Sequence, residues 1–241
     1  MAPSRSLDAV QPPSAREPVL DVREGYRRWA PTYAAETAIS HLDTDLVSAL
    51  TPPLAGKRLL DAGCGTGRRL VEAGAALAVG VDLSPEMLAA GVGLDVHRPG
   101  LRTLVGDVRD LPLPDRAFDI VWCRLVLGHL PECGRAYGEL ARVADAGATI
   151  IVTDFHPAAA AAGHRRTFRD AAGVHALEHY DHGIEGHLAA ARAAGLTLAA
   201  RREARIGEGA RPFYADAGKL DLYQRDLGLP VVLALAFERG A

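Results

Sequence analysis

The stretch Leu59–Arg68, LLDAGCGTGR, ends a short apolar run on an acid and then places glycine at positions 63, 65 and 67. Three residues without a Cβ at that spacing allow bare backbone to approach whatever the turn faces. Outward from the turn, RLLDAG reads as a strand and GRRLVEAGA as a helix. The alternation continues through strand LAVGVDL, helix SPEMLAAGV, strands LRTLVGD and FDIVWCRLVL, helix PECGRAYGELARVA and strand GATIIVTDF. Ser84 is placed to cap the second of these helices, with Pro85 in its first turn. Helix IEGHLAAARAAG and strands LTLAARREARI and PVVLALAFERG resume the pattern later and bring the strands to seven. Such alternation predicts an α/β fold, a doubly wound, mostly parallel seven-stranded sheet with helices on both faces.

Upstream, VREGYRRWAPTYAAETAI predicts a helix near Val22–Arg28, a break at Pro31 and more helix after it. HLDTDLVSAL predicts a second helix, stopped by Pro52 and Pro53. Residues 1–18, rich in proline and small polar residues, are expected to form a disordered tail, and 19–241 a single domain. Between His156 and His187 the rhythm fails, which predicts a cap insertion at about 157–187, after strand five. The segment GEGARPFYADAGKLDLYQRDLGL is polar, with a helix expected around Leu220.

About half of the 241 residues are apolar and the net charge is −3. That balance offers no basic footprint for nucleic acid or an anionic membrane, and favours a small-molecule partner. No apolar run approaches the ~20 residues of a membrane helix, and the start of the chain lacks a signal peptide's apolar core. Cys64, Cys123 and Cys133 show no C-x-x-C spacing, so a reduced, cytoplasmic protein is expected; a monomer or homodimer is expected separately.

In a doubly wound sheet the turn after the first strand faces the ligand crevice. Asp61 closes that strand, and Asp82 ends the next, placed to accept hydrogen bonds from ribose hydroxyls. A dinucleotide site shares these features, but its fingerprint is G-x-G-x-x-G, whereas the turn here is G-x-G-x-G with Arg69 near the last glycine's place. An acid at Asp61 also opposes a pyrophosphate and suits a ligand bearing an ammonium. Asp107, following the third strand in GDVRDLPLPDRAFDIV, is placed to accept from an adenine amino group, beside the Val108 amide.

Together, DAGCGTG, Asp82, Asp107 and YRRWAPTYAAE resemble the class I S-adenosylmethionine-dependent methyltransferases, in the bacterial small-molecule group with a DxGCGTG signature. The resemblance runs from about Gly25 to the C-terminus. It implies a Rossmann-like methyltransferase fold, an N-terminal helix closing over S-adenosyl-L-methionine, and methyl transfer to a small-molecule acceptor in bacterial secondary or specialised metabolism. It implies that Asp61 and the Gly63, Cys64, Gly65, Gly67 loop hold the methionine part, Asp82 the ribose, and Asp107 and Val108 the adenine. Leu83 and Met87 pack against the ring on that reading, and suit ordinary core equally well. Tyr26 and Arg124 complete the expected cofactor set.

Displacement at a sulfonium carbon needs alignment above all; a base is optional. His129, just beyond strand four in CRLVLGHLPE, is the first candidate base, and structural hydrogen bonding explains it equally well. His156, off strand five, is the second, and Tyr33 is a candidate to approach the sulfonium from the N-terminal segment. Six of nine histidines lie from His156 to His187, but their spacing favours a cap over the acceptor and not a metal site. In HRRTFRD, Arg165, Arg166 and Arg169 suit an acidic acceptor, or a solvated helix face. A nucleotide-dependent oxidoreductase and a non-methylating cofactor-binding protein on the same fold stand as the alternatives.

Overall fold

A computed structural model describes residues 5–6, 19–91 and 99–240. Its main sheet has seven strands: β1 (Arg58–Ala62), β2 (Leu77–Asp82), β3 (Leu101–Val105), β4 (Phe118–Arg124), β5 (Ala144–Phe155), β6 (Leu196–Arg205) and β7 (Pro230–Arg239). They lie in the order β6-β7-β5-β4-β1-β2-β3. All neighbours from β5 to β3 are parallel, and β7 runs antiparallel to both β5 and β6. The chain steps one way from β1 to β3 and the other way from β4 to β5. The reversal therefore opens a crevice at the carboxyl ends of β1 and β4.

The described helices are α1 (Val22–Trp29), α2 (Ala38–Leu50), α3 (Arg68–Glu72), α4 (Pro85–Ala90), α5 (Gly134–Val143), α6 (Pro157–Ala161), α7 (Ile184–Ala193), α8 (Arg211–Asp216) and α9 (Leu220–Asp226). Continuous apolar runs make the central strands buried on both faces. On one face Tyr137 and Leu140 of α5 and Ala191 of α7 share a core with Val121, Val152 and Leu235. On the other, Val47 of α2 and Leu70 of α3 meet Leu59, Ile120 and Ile151. Ser84 caps α4 as expected, accepting from the Met87 amide at 3.2 Å.

Several local expectations are corrected. Pro31 sits in a 3₁₀ turn, Ala30–Thr32, and the next element is the two-residue strand Glu36–Thr37, not more helix. α2 starts at Ala38, ahead of the expected HLDTDLVSAL. The cause is a capping box in which the Ser40 amide donates to Thr37 Oγ1 (3.0 Å) and the Thr37 amide to Ser40 Oγ (2.8 Å). The polar segment expected to hold a helix around Leu220 holds α9 there and α8 before it; Pro212 occupies the first turn of α8, where a missing N–H costs nothing.

The insertion holds α6 and a hairpin of Thr167–Asp170 and Gly173–Leu177. It ends at Gly183, not at 187, because α7 begins at Ile184 and carries His187 into the core beside Tyr137. The second hairpin strand pairs in parallel with Val19–Leu20, which joins insertion and N-terminal segment into one cover. That cover has its own small core, in which Trp29 stacks on Phe168 at 5.3 Å beside Leu177. Gly25 lets α1 approach it, since a Cβ there would lie 2.0 Å from Leu177 Cδ2. The expected disordered tail, 1–18, lies outside the described residues except Arg5–Ser6, which pair in parallel with Glu36–Thr37. Among the described residues no helix is long and apolar enough to cross a membrane.

Candidate active site

A cleft of about 310 Å³ lies at the crevice, floored by the turns after β1, β2 and β3 and roofed by the cover. Gly63 and Gly65 have φ of +86° and +59°, where a side chain is strained. A Cβ on Gly63 would also stand 2.1 Å from Val126 Cγ2, and one on Gly65 would stand 3.2 Å from Met87 Cε and 3.3 Å from Tyr33 Cε1. The Gly63 and Cys64 amides donate to the Val81 carbonyl (2.7 and 3.0 Å), tying the loop to β2. Asp82 completes the tie: its carboxylate accepts from the Gly65 amide (2.7 Å) and the Ser84 amide (2.9 Å). Burial pushes Asp82 up to about 6 against those two hydrogen bonds. Asp107 is held below the usual carboxylate range by the Arg109 guanidinium, 2.6 Å away.

Asp61 lies beneath the loop, 2% exposed, and its Oδ1 has no hydrogen-bond partner. Burial raises it to about 6 despite the nearby Arg124 and Arg69. Arg124 borders the cleft, but its guanidinium is committed elsewhere. Its Nε and Nη2 donate to Asp43 (3.0 and 2.7 Å), whose other oxygen accepts from Thr153 Oγ1 at 2.5 Å. The buried charges under the floor are thus largely matched, and Asp61 retains an unsatisfied oxygen.

On the roof side, His129 Nδ1 lies 3.1 Å from the Glu178 carbonyl and Nε2 lies 2.9 Å from the Tyr26 hydroxyl. A carbonyl only accepts, so Nδ1 carries the proton and Nε2 accepts from Tyr26. Burial, helped by the charge of Arg166, depresses His129 to about 3, and burial raises the Tyr26 hydroxyl. The Nε2 lone pair of this candidate base is thus engaged by Tyr26, in keeping with the structural hydrogen bonding that explains a histidine here equally well. The turn bearing His129 is pinned by the Tyr180 amide, which donates to the Gly128 carbonyl (2.7 Å), and by His182 Nε2, 2.9 Å from the Leu130 carbonyl.

Of the residues singled out from sequence, Tyr26, Tyr33, Gly63, Gly65, Asp82, Leu83, Asp107, Val108, Arg124 and His129 border the cleft. Asp61, Cys64, Gly67 and Met87 support the loop without reaching that cleft; Cys64 instead borders a smaller hollow beside it. His156 does not join them. Phe155 borders the hollow, and the next side chain leaves the other way. There His156 Nδ1 accepts from the Ala158 amide, capping α6, and Nε2 sits 3.4 Å from Glu203. Arg166 reaches the cleft, whereas Arg165 and Arg169 are exposed. Glu178 and Leu130 also line it, and nothing local in the sequence marks them. Among the described residues no group of three or more His, Cys, Asp or Glu side chains is placed to hold a metal ion. Four histidines of the insertion, and His187 of α7, are instead spread over separate acid or carbonyl neighbours: His164 near Asp226, His175 on Asp170, His179 near Asp181, His182 on the Leu130 carbonyl, and His187 near Asp154.

Residues 60–152 match the family model described as Methyltransferase domain. The chain is 29% identical over 213 residues to the 27-O-demethylrifamycin SV methyltransferase of Amycolatopsis mediterranei, covering 81% of this chain and 73% of that one. It is 33% identical over 155 residues to the demethylmenaquinone methyltransferase of Roseiflexus sp., covering 60% and 63%. An S-adenosylmethionine-dependent methyltransferase of Mesorhizobium loti superposes with a TM-score of 0.63 at 21% identity, covering 82% of this chain and 98% of the other. The oxidoreductase alternative falls with these matches.

Proposed function

We propose that this chain, a class I S-adenosylmethionine-dependent methyltransferase, methylates a small-molecule acceptor in a cytoplasmic biosynthetic step. The observation that supports a small acceptor is the roof: α1 and the insertion share a core over the crevice and leave a cleft of about 310 Å³, a size suited to small ligands.

The residues present fit the cofactor. Asp61 has a buried, unpartnered oxygen under a loop with glycine at positions 63, 65 and 67, which suits a ligand bearing an ammonium. When bound, S-adenosylmethionine supplies a methyl group already activated by its sulfonium. Asp82, fixed by two backbone amides, keeps lone pairs for the ribose hydroxyls, and Asp107 with the Val108 amide takes the adenine edge beside Leu83. Tyr33, packed over Gly65, holds the cofactor against the loop. Tyr26 and His129 brace each other and orient the acceptor, and the cover excludes water. Thermal unfolding tests the reading. Adenosylhomocysteine at 100 times its dissociation constant should stabilise the protein by about 2.7 kcal/mol, and NAD at equal concentration should not. A shift with NAD alone contradicts it.

A further inference from the structure

Arg166 bears on the chemistry of the acceptor. It stands just before the first hairpin strand, 7% exposed, on the wall of the cleft. Its Nη1 donates to the Leu125 carbonyl at 2.8 Å, and its Cζ lies 5.8 Å from the centre of the Tyr26 ring. Leu125 itself has φ of +57°, so its carbonyl is presented from a constrained turn. A guanidinium has five N–H donors and stays charged in any protein.

Other arginines here find a carboxylate. Arg58, Arg109, Arg124 and Arg142 each pair at 2.6–2.7 Å. Among the described residues no carboxylate lies within 4 Å of Arg166. The acids that surround it have other partners. Asp43 holds Arg124 and Thr153 and Glu178 accepts from the Tyr180 hydroxyl at 2.8 Å, while Asp154, whose Oδ1 accepts from the Phe155 amide, acts on Arg166, as Asp43 does, only from a distance. A buried cation without a counter-ion is costly, and its open side faces the cleft near Tyr26 and His129. His129, with its Nε2 lone pair taken by Tyr26, is a poor base there.

We infer that Arg166 is an anion site for the acceptor, which arrives with a carboxylate or an already ionised acidic hydroxyl, and that the oxygen it holds is the one methylated. This rests on the methyltransferase reading above. The oxygen's lone pair forms the new C–O bond while the methyl–sulfur bond breaks and its electrons stay on sulfur. Anion and sulfonium are neutralised together and no proton moves, so no base is required. The product ester or ether no longer pairs with Arg166, which favours its release.

Calorimetry separates this inference from the reading beneath it. Adenosylhomocysteine is titrated first; failure to bind removes the methyltransferase reading itself. The loaded protein is then titrated with benzoate and with its neutral counterpart benzamide. Benzoate should bind at least tenfold tighter. Arg166→Gln should erase that preference while adenosylhomocysteine affinity stays within threefold, and Arg166→Lys should keep part of it. No preference for benzoate in the wild type, or an undiminished preference in Arg166→Gln, overturns the inference. So does a tenfold loss of adenosylhomocysteine affinity in Arg166→Gln with 5′-methylthioadenosine binding intact, because the guanidinium then serves the cofactor's own carboxylate. Should Arg166→Gln not fold, the wild-type comparison and Arg166→Lys decide.

Discussion

The floor of the cleft comes from three consecutive strand ends, with Asp82 closing the second, Asp107 following the third, and Asp61 lying beneath the turn, one residue short of the end of the first. The roof brings together Tyr26 and His129 across 103 positions of sequence and adds Arg166 and Glu178 from an insertion. The floor works mainly with backbone: amides tied to Val81, carbonyls and glycines that leave room. The roof works with side chains braced on one another. The first arrangement suits a fixed ligand shared by many proteins, and the second suits an acceptor that differs from one protein to the next.

The largest effect separating floor from roof is expected at Asp61. Replacing it with Asn should lower adenosylhomocysteine affinity tenfold or more, yet stabilise the protein without ligand, because an unpartnered buried carboxylate is removed. The sign follows from the raised value: Asp61 titrates near 6 when folded and ordinarily at 3.8. Between those values the folded wild type binds more protons than the unfolded chain, so its stability falls as pH rises through that window. Asn does not titrate. The advantage of the variant should therefore be small at pH 4, grow to pH 6 and level off above it at about 3 kcal/mol. Denaturant unfolding across pH reads this; a variant less stable than wild type at pH 8 breaks the contrast.

At the roof a much smaller change is expected. Gln in place of His129 can accept from Tyr26 and donate to the Glu178 carbonyl, preserving both hydrogen bonds. Turnover of an ionised acceptor should fall less than about tenfold, well short of the loss expected for a general base. With His129 held near 3, neither protein should show a limb in the histidine range between pH 6 and 8. A wild-type limb there that vanishes in the variant returns the base role to His129.

The same division explains what was legible in the sequence. Periodicity and glycine spacing are local signals, so the strands, the Ser84 cap and the places of Asp82 and Asp107 beside the cleft were readable in order. Neither the hairpin pairing with Val19–Leu20 nor the Arg124–Asp43–Thr153 cluster leaves a local trace, because each joins residues that only the folded chain brings together. His156 shows the limit most plainly: it follows a strand end at the ligand edge, as a catalytic residue would, but side-chain alternation turns it to cap α6. Arg166 was one of three arginines in HRRTFRD, and only burial distinguishes it from Arg165 and Arg169.

The central claim is that the floor carboxylates grip S-adenosylmethionine, and its most direct test is titration of adenosylhomocysteine into wild type and Asp82→Ala by calorimetry. Losing charge-assisted hydrogen bonds to the ribose should weaken binding by about 1.5–3 kcal/mol, with the thermal unfolding of the variant still cooperative. Equal affinity in the two proteins would contradict the account.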